Sequence, residues 1–132
     1  LAGSRDFIAE AWRCKQQMGG AMRQAGIIAA GGVYALRHHV KRLADDHTNA
    51  KRLAEGLEAL PGVALDPKSV ETNIVFFELT GSVDAPTLVD RLLERGVRVG
   101  AMGPRTVRAV THLDVSAAGI ERAVDAARAI LR

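Results

Sequence analysis

The chain has 132 residues, 48% of them hydrophobic and 25% charged, with a formal net charge of +3. This composition is typical of a folded globular domain and argues against disorder, because a chain of this length can bury roughly two thirds of its unfolded surface. The longest uncharged run, residues 24–36, is shorter than the about twenty residues of a transmembrane helix, so no membrane partner is expected. The chain starts at Leu1 rather than Met and opens without a signal-peptide pattern, which favours a piece of a longer chain.

The cysteine content and the basic residues argue against two further classes, disulfide-stabilised proteins and nucleic-acid-binding proteins. The single Cys14 cannot form an internal disulfide, which fits a reducing cytoplasm, and we expect it to be a partly buried thiol. The densest basic run, residues 37–42, has no aromatic residue for base stacking and is followed by two aspartates. We interpret it as a solvated helix face, with a nucleic-acid or phosphate patch as the alternative.

The first predicted helix begins after Ser4, a favoured N-cap residue, and ends at Gly19 and Gly20. Asp6 in its first turn suits the positive end of the helix dipole. Its apolar residues recur at spacings of three and four: Phe7, Ile8, Ala11 and Trp12. One stripe of this helix is therefore predicted to pack against a neighbour.

Small residues dominate the next segment, in which Arg23 is the last charge before the uncharged run. Interior glycines destabilise a helix by about 0.5 to 1 kcal/mol each relative to alanine, so their density needs a reason. Close packing against another helix or domain is the favoured interpretation. Arg23 either extends to water from a helix or binds an anion, and the segment alone leaves both open.

Apolar spacing then predicts a long helix from Val33 to Leu57, with a break near His38 and His39. The remaining segments alternate between strand and helix patterns. In chain order they are strands at residues 63–65 and 73–79, a helix at 84–96, strands at 97–100 and 106–113, and a helix from Ser116. They predict a small α/β domain with a three- or four-stranded sheet and helices on one face. Residues 1–39 are predicted to be the helical tail of another, larger domain, and residues 40–132 the small C-terminal domain.

No local enzyme motif is present, because neither a dinucleotide-binding glycine pattern nor a P-loop occurs, and the histidines lack metal-ligand spacing. Strand alternation places Arg108 on the face opposite Val107 and Ala109, where it forms a structural salt bridge or binds a ligand's carboxylate or phosphate. Ser116 and Asp114 near His112 are interpreted as helix-cap and turn residues rather than as parts of a catalytic triad.

Five runs together resemble the C-terminal part of the threonine aldolases, which are pyridoxal-phosphate enzymes with the aspartate-aminotransferase fold. In order they are "LAGSRDFI", "GGAMRQAGIIAAGGVYAL", "RLADDHTNAKRLAEGL", "TNIVFF" and "VRAVTHLDVS". The resemblance covers nearly the whole chain. It implies a large cofactor domain upstream, whose helices end near His39, and a small C-terminal domain.

The resemblance also implies a function. Family members cleave a β-hydroxy-α-amino acid, threonine or allo-threonine, to glycine and acetaldehyde, in a cytoplasmic homotetramer built as a dimer of dimers. Arg108 matches the arginine that binds the substrate α-carboxylate, and Arg23 matches an arginine near the cofactor phosphate. The lysine that binds the cofactor covalently lies before Leu1 in the family, and Lys15 is no substitute, so the isolated chain is expected to be inactive.

Two alternatives stay open. The chain is part of a related β-eliminating lyase, in which the carboxylate-binding arginine is shared and upstream residues select the reaction. In a different class, it is an autonomous α/β module for dimerisation or ligand binding.

Overall fold

The chain forms two units, Leu1–His39 and Val40–Arg132, in the computed structural model, which describes residues 1–132. The first unit holds two helices, α1 (Arg5–Gln17) and α2 (Gly26–His38).

Helix α1 begins as its sequence predicts and ends at the glycine pair. The Ser4 hydroxyl accepts a hydrogen bond from the Phe7 N–H at 3.3 Å, and Gly19 beyond the C-terminus has a positive φ of 72°. Neither α1 nor α2 has a buried residue. The apolar stripe of α1 is therefore unpartnered, with Trp12 59% exposed. Cys14 is also exposed, so the prediction of a partly buried thiol was wrong for this chain.

The second unit contains three helices: α3 (Leu43–Glu58), α4 (Ala85–Leu93) and α5 (Ala117–Ile130). Asp84 caps α4 by accepting the Thr87 N–H at 2.9 Å, and Ser116 caps α5 by accepting the Gly119 N–H at 3.2 Å. The predicted break after His38 is present, because α2 ends there and α3 begins at Leu43.

Four strands form the sheet of this unit: β1 (Val63–Ala64), β2 (Ile74–Leu79), β3 (Gly100–Ala101) and β4 (Thr106–Val110). Their order is β1-β2-β4-β3, and every neighbouring pair is antiparallel. A turn of 3₁₀ helix at Pro67–Ser69 follows β1. The longest strands, β2 and β4, thus lie at the centre of the sheet.

The hydrophobic core lies between one face of the sheet and the three helices. Side chains of β2 and β4 alternate between buried and exposed, as expected for a sheet with one covered face. The buried sheet residues are Val75, Phe77, Leu79, Val107 and Ala109, and they pack with helix residues such as Leu53, Leu88 and Val124. The predicted small α/β domain with helices on one face is confirmed.

Two strand predictions were wrong at their ends. Of residues 97–100, only Gly100 is in a strand, because the Val97 N–H donates to the Leu92 carbonyl at 2.9 Å and holds this segment against the end of α4. Strand β4 stops at Val110 rather than residue 113, because a turn closes where the Val115 N–H donates to the His112 carbonyl at 2.8 Å. No helix of the structure combines the length and the apolar character needed to cross a membrane.

Candidate functional site

Arg108 lies at the middle of β4 with its side chain on the outer face of the sheet, which we define as the face opposite the helices. Its neighbours in the strand, Val107 and Ala109, are buried at 0% and 3% exposure, so alternation directs Arg108 to the other side. The prediction of which residues of β4 face inward is confirmed. Packing of Val107 and Ala109 in the core therefore fixes the position of the strand that carries Arg108.

The surroundings of Arg108 are mostly apolar. Phe76 on β2 is its direct cross-strand neighbour, and Gly100 on β3 lies opposite it on the other side. Phe76 is 51% exposed, and Ile74 and Val110 one pair along are each 41% exposed. A Cβ placed at Gly100 would have only the Arg108 carbonyl oxygen within 4 Å, at 3.9 Å, so no other side chain fills this position on the β3 side of Arg108.

No carboxylate of this chain pairs with Arg108. Four ion pairs occur, and none includes this residue. The nearest acidic position on the outer face is Glu78, which accepts a hydrogen bond from the Thr106 hydroxyl at 2.6 Å. The guanidinium therefore has no acidic partner in this chain, and its planar fork of five donors has the geometry to bind a carboxylate or a phosphate.

Arg23 lies in the turn that leads into α2, so it does not extend from a helix. It is exposed and takes part in no ion pair or hydrogen bond. Helix α2 has no side-chain cap, so its first N–H groups are also available. A cation beside free N–H donors has the chemistry that suits a phosphate group. Arg23 and Arg108 belong to different units.

The glycines of α2 make no close packing contact within Leu1–His39. A Cβ placed at Gly26, Gly31 or Gly32 would have no heavy atom within 4 Å. The predicted close packing of this helix therefore stays a prediction about a neighbour outside the unit.

The residues around His112 have structural contacts. His112 Nδ1 accepts the Asp114 N–H at 3.3 Å, while the Ser116 hydroxyl caps α5. This agrees with their interpretation as turn and cap residues. No group of three or more His, Cys, Asp or Glu side chains is placed to hold a metal ion.

Sequence reasoning missed a buried polar cluster that fixes the end of β4. Asp46, Asn49 and Thr111 are 3%, 8% and 1% exposed. The Thr111 hydroxyl donates to the Asp46 carbonyl at 2.7 Å, the Asn49 amide donates to the Val115 carbonyl at 3.0 Å, and Arg42 pairs with the Asp46 carboxylate. These bonds tie α3 to the strand that carries Arg108.

The chain is similar in sequence to known lyases. A model of the Beta-eliminating lyase family matches residues 1–80. Low specificity L-threonine aldolase of Escherichia coli K12 is 42% identical over 116 residues, covering 88% of this chain and 33% of that protein. Low-specificity L-threonine aldolase 1 of Arabidopsis thaliana is 33% identical over 122 residues, covering 91% and 34%. The chain thus spans about a third of these relatives, and the resemblance to threonine aldolases is confirmed.

Solved structures show the same fold. A cystine C-S lyase, C-DES, in complex with its product cysteine persulfide, superimposes with a TM-score of 0.64 at 20% identity, covering 79% of this chain and 28% of that one. A second structure, described as a C-DES mutant with glycine covalently linked to the PLP cofactor, has the same TM-score and coverage. The match to MppP soaked with 2-ketoarginine has a TM-score of 0.58.

Proposed function

Because the chain belongs to the Beta-eliminating lyase family, we propose that it is the C-terminal part of a pyridoxal-phosphate lyase that cleaves threonine or allo-threonine to glycine and acetaldehyde. The observation that carries this is Arg108, an unpaired arginine on an open sheet face. The matched relatives named as L-threonine aldolases support the substrate class.

Arg108 binds and orients the substrate in this proposal. A bidentate contact between its guanidinium and the α-carboxylate fixes the amino acid by two parallel hydrogen bonds. Phe76 on one side and the space above Gly100 on the other limit where the carboxylate can lie. Such positioning accelerates a reaction because the reacting bond is held in a productive orientation before the chemical step.

Arg23 would hold the phosphate of the cofactor, and the residues present fit that group, because an unpaired cation lies beside uncapped helix N–H donors. Pyridoxal phosphate, when bound, supplies an electron sink for the charge that develops as the Cα–Cβ bond breaks. Residues 1–39 would then be the helical tail of the large cofactor domain, and the exposed apolar stripe of α1 would be covered by that domain.

We propose that the lysine that links covalently to the cofactor lies outside this chain. Its four lysines, Lys15, Lys41, Lys51 and Lys68, are all exposed, whereas a lysine that forms such a link is activated by a desolvated or cationic environment. We therefore propose that the isolated chain is inactive. The full enzyme is proposed to be a cytoplasmic dimer of dimers.

The fold neighbours favour a second candidate, β-elimination from a sulfur amino acid, because C-DES is a cystine lyase. Assaying the full-length protein with L-threonine, L-allo-threonine and cystine separates the two. The proposal predicts acetaldehyde and glycine from a threonine and no persulfide from cystine. The isolated chain is the control and should give neither product nor a cofactor absorption band. Cystine cleavage without threonine cleavage would overturn the assignment in favour of the second candidate.

A further inference from the structure

Glu78 is the acidic residue that the sheet register places nearest to Arg108. Phe76 lies opposite Arg108, and Glu78, two residues along the same face of β2, lies opposite Thr106. Diagonal neighbours of this kind are about 7 to 8 Å apart at their Cα atoms, which long side chains can span. Among the outer-face positions of β2 and β4, Glu78 is the only acid, so it is the side chain that could compete with a ligand's carboxylate for the Arg108 guanidinium.

Glu78 nevertheless does not pair with Arg108. Its Oε1 accepts a hydrogen bond from the Thr106 hydroxyl at 2.6 Å, and no carboxylate oxygen lies within 4.0 Å of the Arg108 guanidinium. The short hydroxyl-to-carboxylate distance is that of a charge-assisted hydrogen bond, which is stronger than a neutral one. The Glu78 carboxylate is thus held over Thr106, its direct cross-strand neighbour, rather than over Arg108, its diagonal neighbour.

We propose that Thr106 is a positioning residue whose hydroxyl holds Glu78 away from Arg108 and so keeps the guanidinium free for the ligand's carboxylate. This inference rests on the proposed role of Arg108 in substrate binding. Threonine at this position serves two requirements at once, because its β-branched shape suits a strand and its hydroxyl reaches the cross-strand oxygen.

Removing the hydroxyl has a defined consequence. In a Thr106→Val enzyme, Glu78 loses its donor and forms an ion pair with Arg108, against which the substrate must compete. Exposed ion pairs have modest strength, which corresponds to a rise in KM of about two- to fivefold. Because the Glu78–Arg108 ion pair would weaken binding of the substrate and binding of the transition state equally, kcat should stay unchanged.

The experiment uses the full-length enzyme and L-threonine, with Thr106→Val as the main variant and Thr80→Val as the matched control on an exposed threonine. Adding Glu78→Gln to Thr106→Val should return KM to the wild-type value, because the freed side chain then has no charge. Thr106→Ser, which retains the hydroxyl, should rescue KM as well. High salt should reduce the defect of Thr106→Val, since exposed charges are screened.

A crystal structure of Thr106→Val provides a readout that does not depend on activity, and it should show a Glu78 oxygen within 4 Å of the Arg108 guanidinium. A wild-type KM in Thr106→Val, or a raised KM that Glu78→Gln does not reverse, would overturn the inference. Arg108→Ala separates this from a failure of the proposed function: normal kinetics in that variant would remove the carboxylate role, whereas the crystal structure would still decide whether Thr106 restrains Glu78.

Discussion

Arg108 is distinguished by what surrounds it. The paired arginines Arg13, Arg42 and Arg128 lie on or beside helices, and each meets an acid three or four residues away in the chain. Arg108 lies on a strand, where its direct cross-strand neighbours are Phe76 and Gly100. Strand alternation alone predicted the face of the sheet on which the Arg108 side chain lies. In the proposal above, its guanidinium is unpaired because the Thr106 hydroxyl holds Glu78, and no sequence pattern indicates that hydrogen bond.

Arg23 carries a prediction about the cofactor. Replacing it with alanine in the full-length enzyme removes a charge-assisted contact to the phosphate, so the dissociation constant for pyridoxal phosphate should rise about 10- to 100-fold. Dialysis followed by absorbance titration measures this constant. Arg13→Ala, which removes an exposed arginine paired with Glu10, is the control and should leave the constant unchanged. Equal affinities in the two variants would leave Arg23 without a phosphate role.

The starts of α1, α4 and α5 were predicted best, whereas α2 begins at Gly26 rather than at the predicted Val33. Ser4, Asp84 and Ser116 each accept the N–H three residues later, as their residue types and positions indicate. Strand ends were predicted less well, because they depend on hydrogen bonds to residues elsewhere in the chain. Strand β3 is the example, since the segment before it is held by α4 rather than by the sheet.

The Asp84 cap predicts a pH-dependent contribution to stability. Its hydrogen bond with Thr87 lowers the pKa of the carboxyl below the ordinary value of 3.8, and the Arg105 charge lowers it further. The stabilisation is therefore complete above pH 3.8 and is lost as pH falls through the lower pKa of the folded state. Asp84→Ala should lower the melting temperature of the full-length protein near neutral pH, with a smaller difference as the solution approaches pH 3.

Asp84→Asn is the control for this cap. Asparagine also accepts the Thr87 N–H but does not ionise, so the difference in melting temperature between Asp84→Asn and Asp84→Ala should stay the same across the pH series. Differential scanning calorimetry over a pH series measures all three proteins. A difference between wild type and Asp84→Ala that stays constant from pH 7 to pH 3 would contradict the role of the ionised carboxylate.

Sequence patterns did not predict the burial of two polar residues in α3. The run from Asp45 to Asn49 has the composition of a solvated helix surface, yet Asp46 and Asn49 are buried. The Asp46 carboxylate pairs with Arg42, four residues earlier, whereas the Asp46 backbone carbonyl and the Asn49 side chain are bonded to Thr111 and Val115, far along the chain. Local spacing is compatible with the Arg42 pair but contains no information about the two distant partners.

In the whole molecule, the two units differ in burial although the average composition does not show it. The 48% hydrophobic content is typical of a folded domain, but all the buried residues lie in Val40–Arg132 and none in Leu1–His39. Apolar residues in the first unit have no cover within it. The chain spans about a third of the length of its curated relatives.

The central claim is that Arg108 binds the carboxylate of the amino-acid substrate. Steady-state kinetics of full-length Arg108→Ala with L-threonine test it most directly, with Arg122→Ala, an exposed arginine on α5, as the control. If Arg108 binds the carboxylate, kcat/KM for Arg108→Ala should fall about 100-fold or more, equivalent to about 2.7 kcal/mol of transition-state stabilisation, and Arg108→Lys should recover only part of this loss. A kcat/KM for Arg108→Ala equal to that of the control would contradict this role of Arg108.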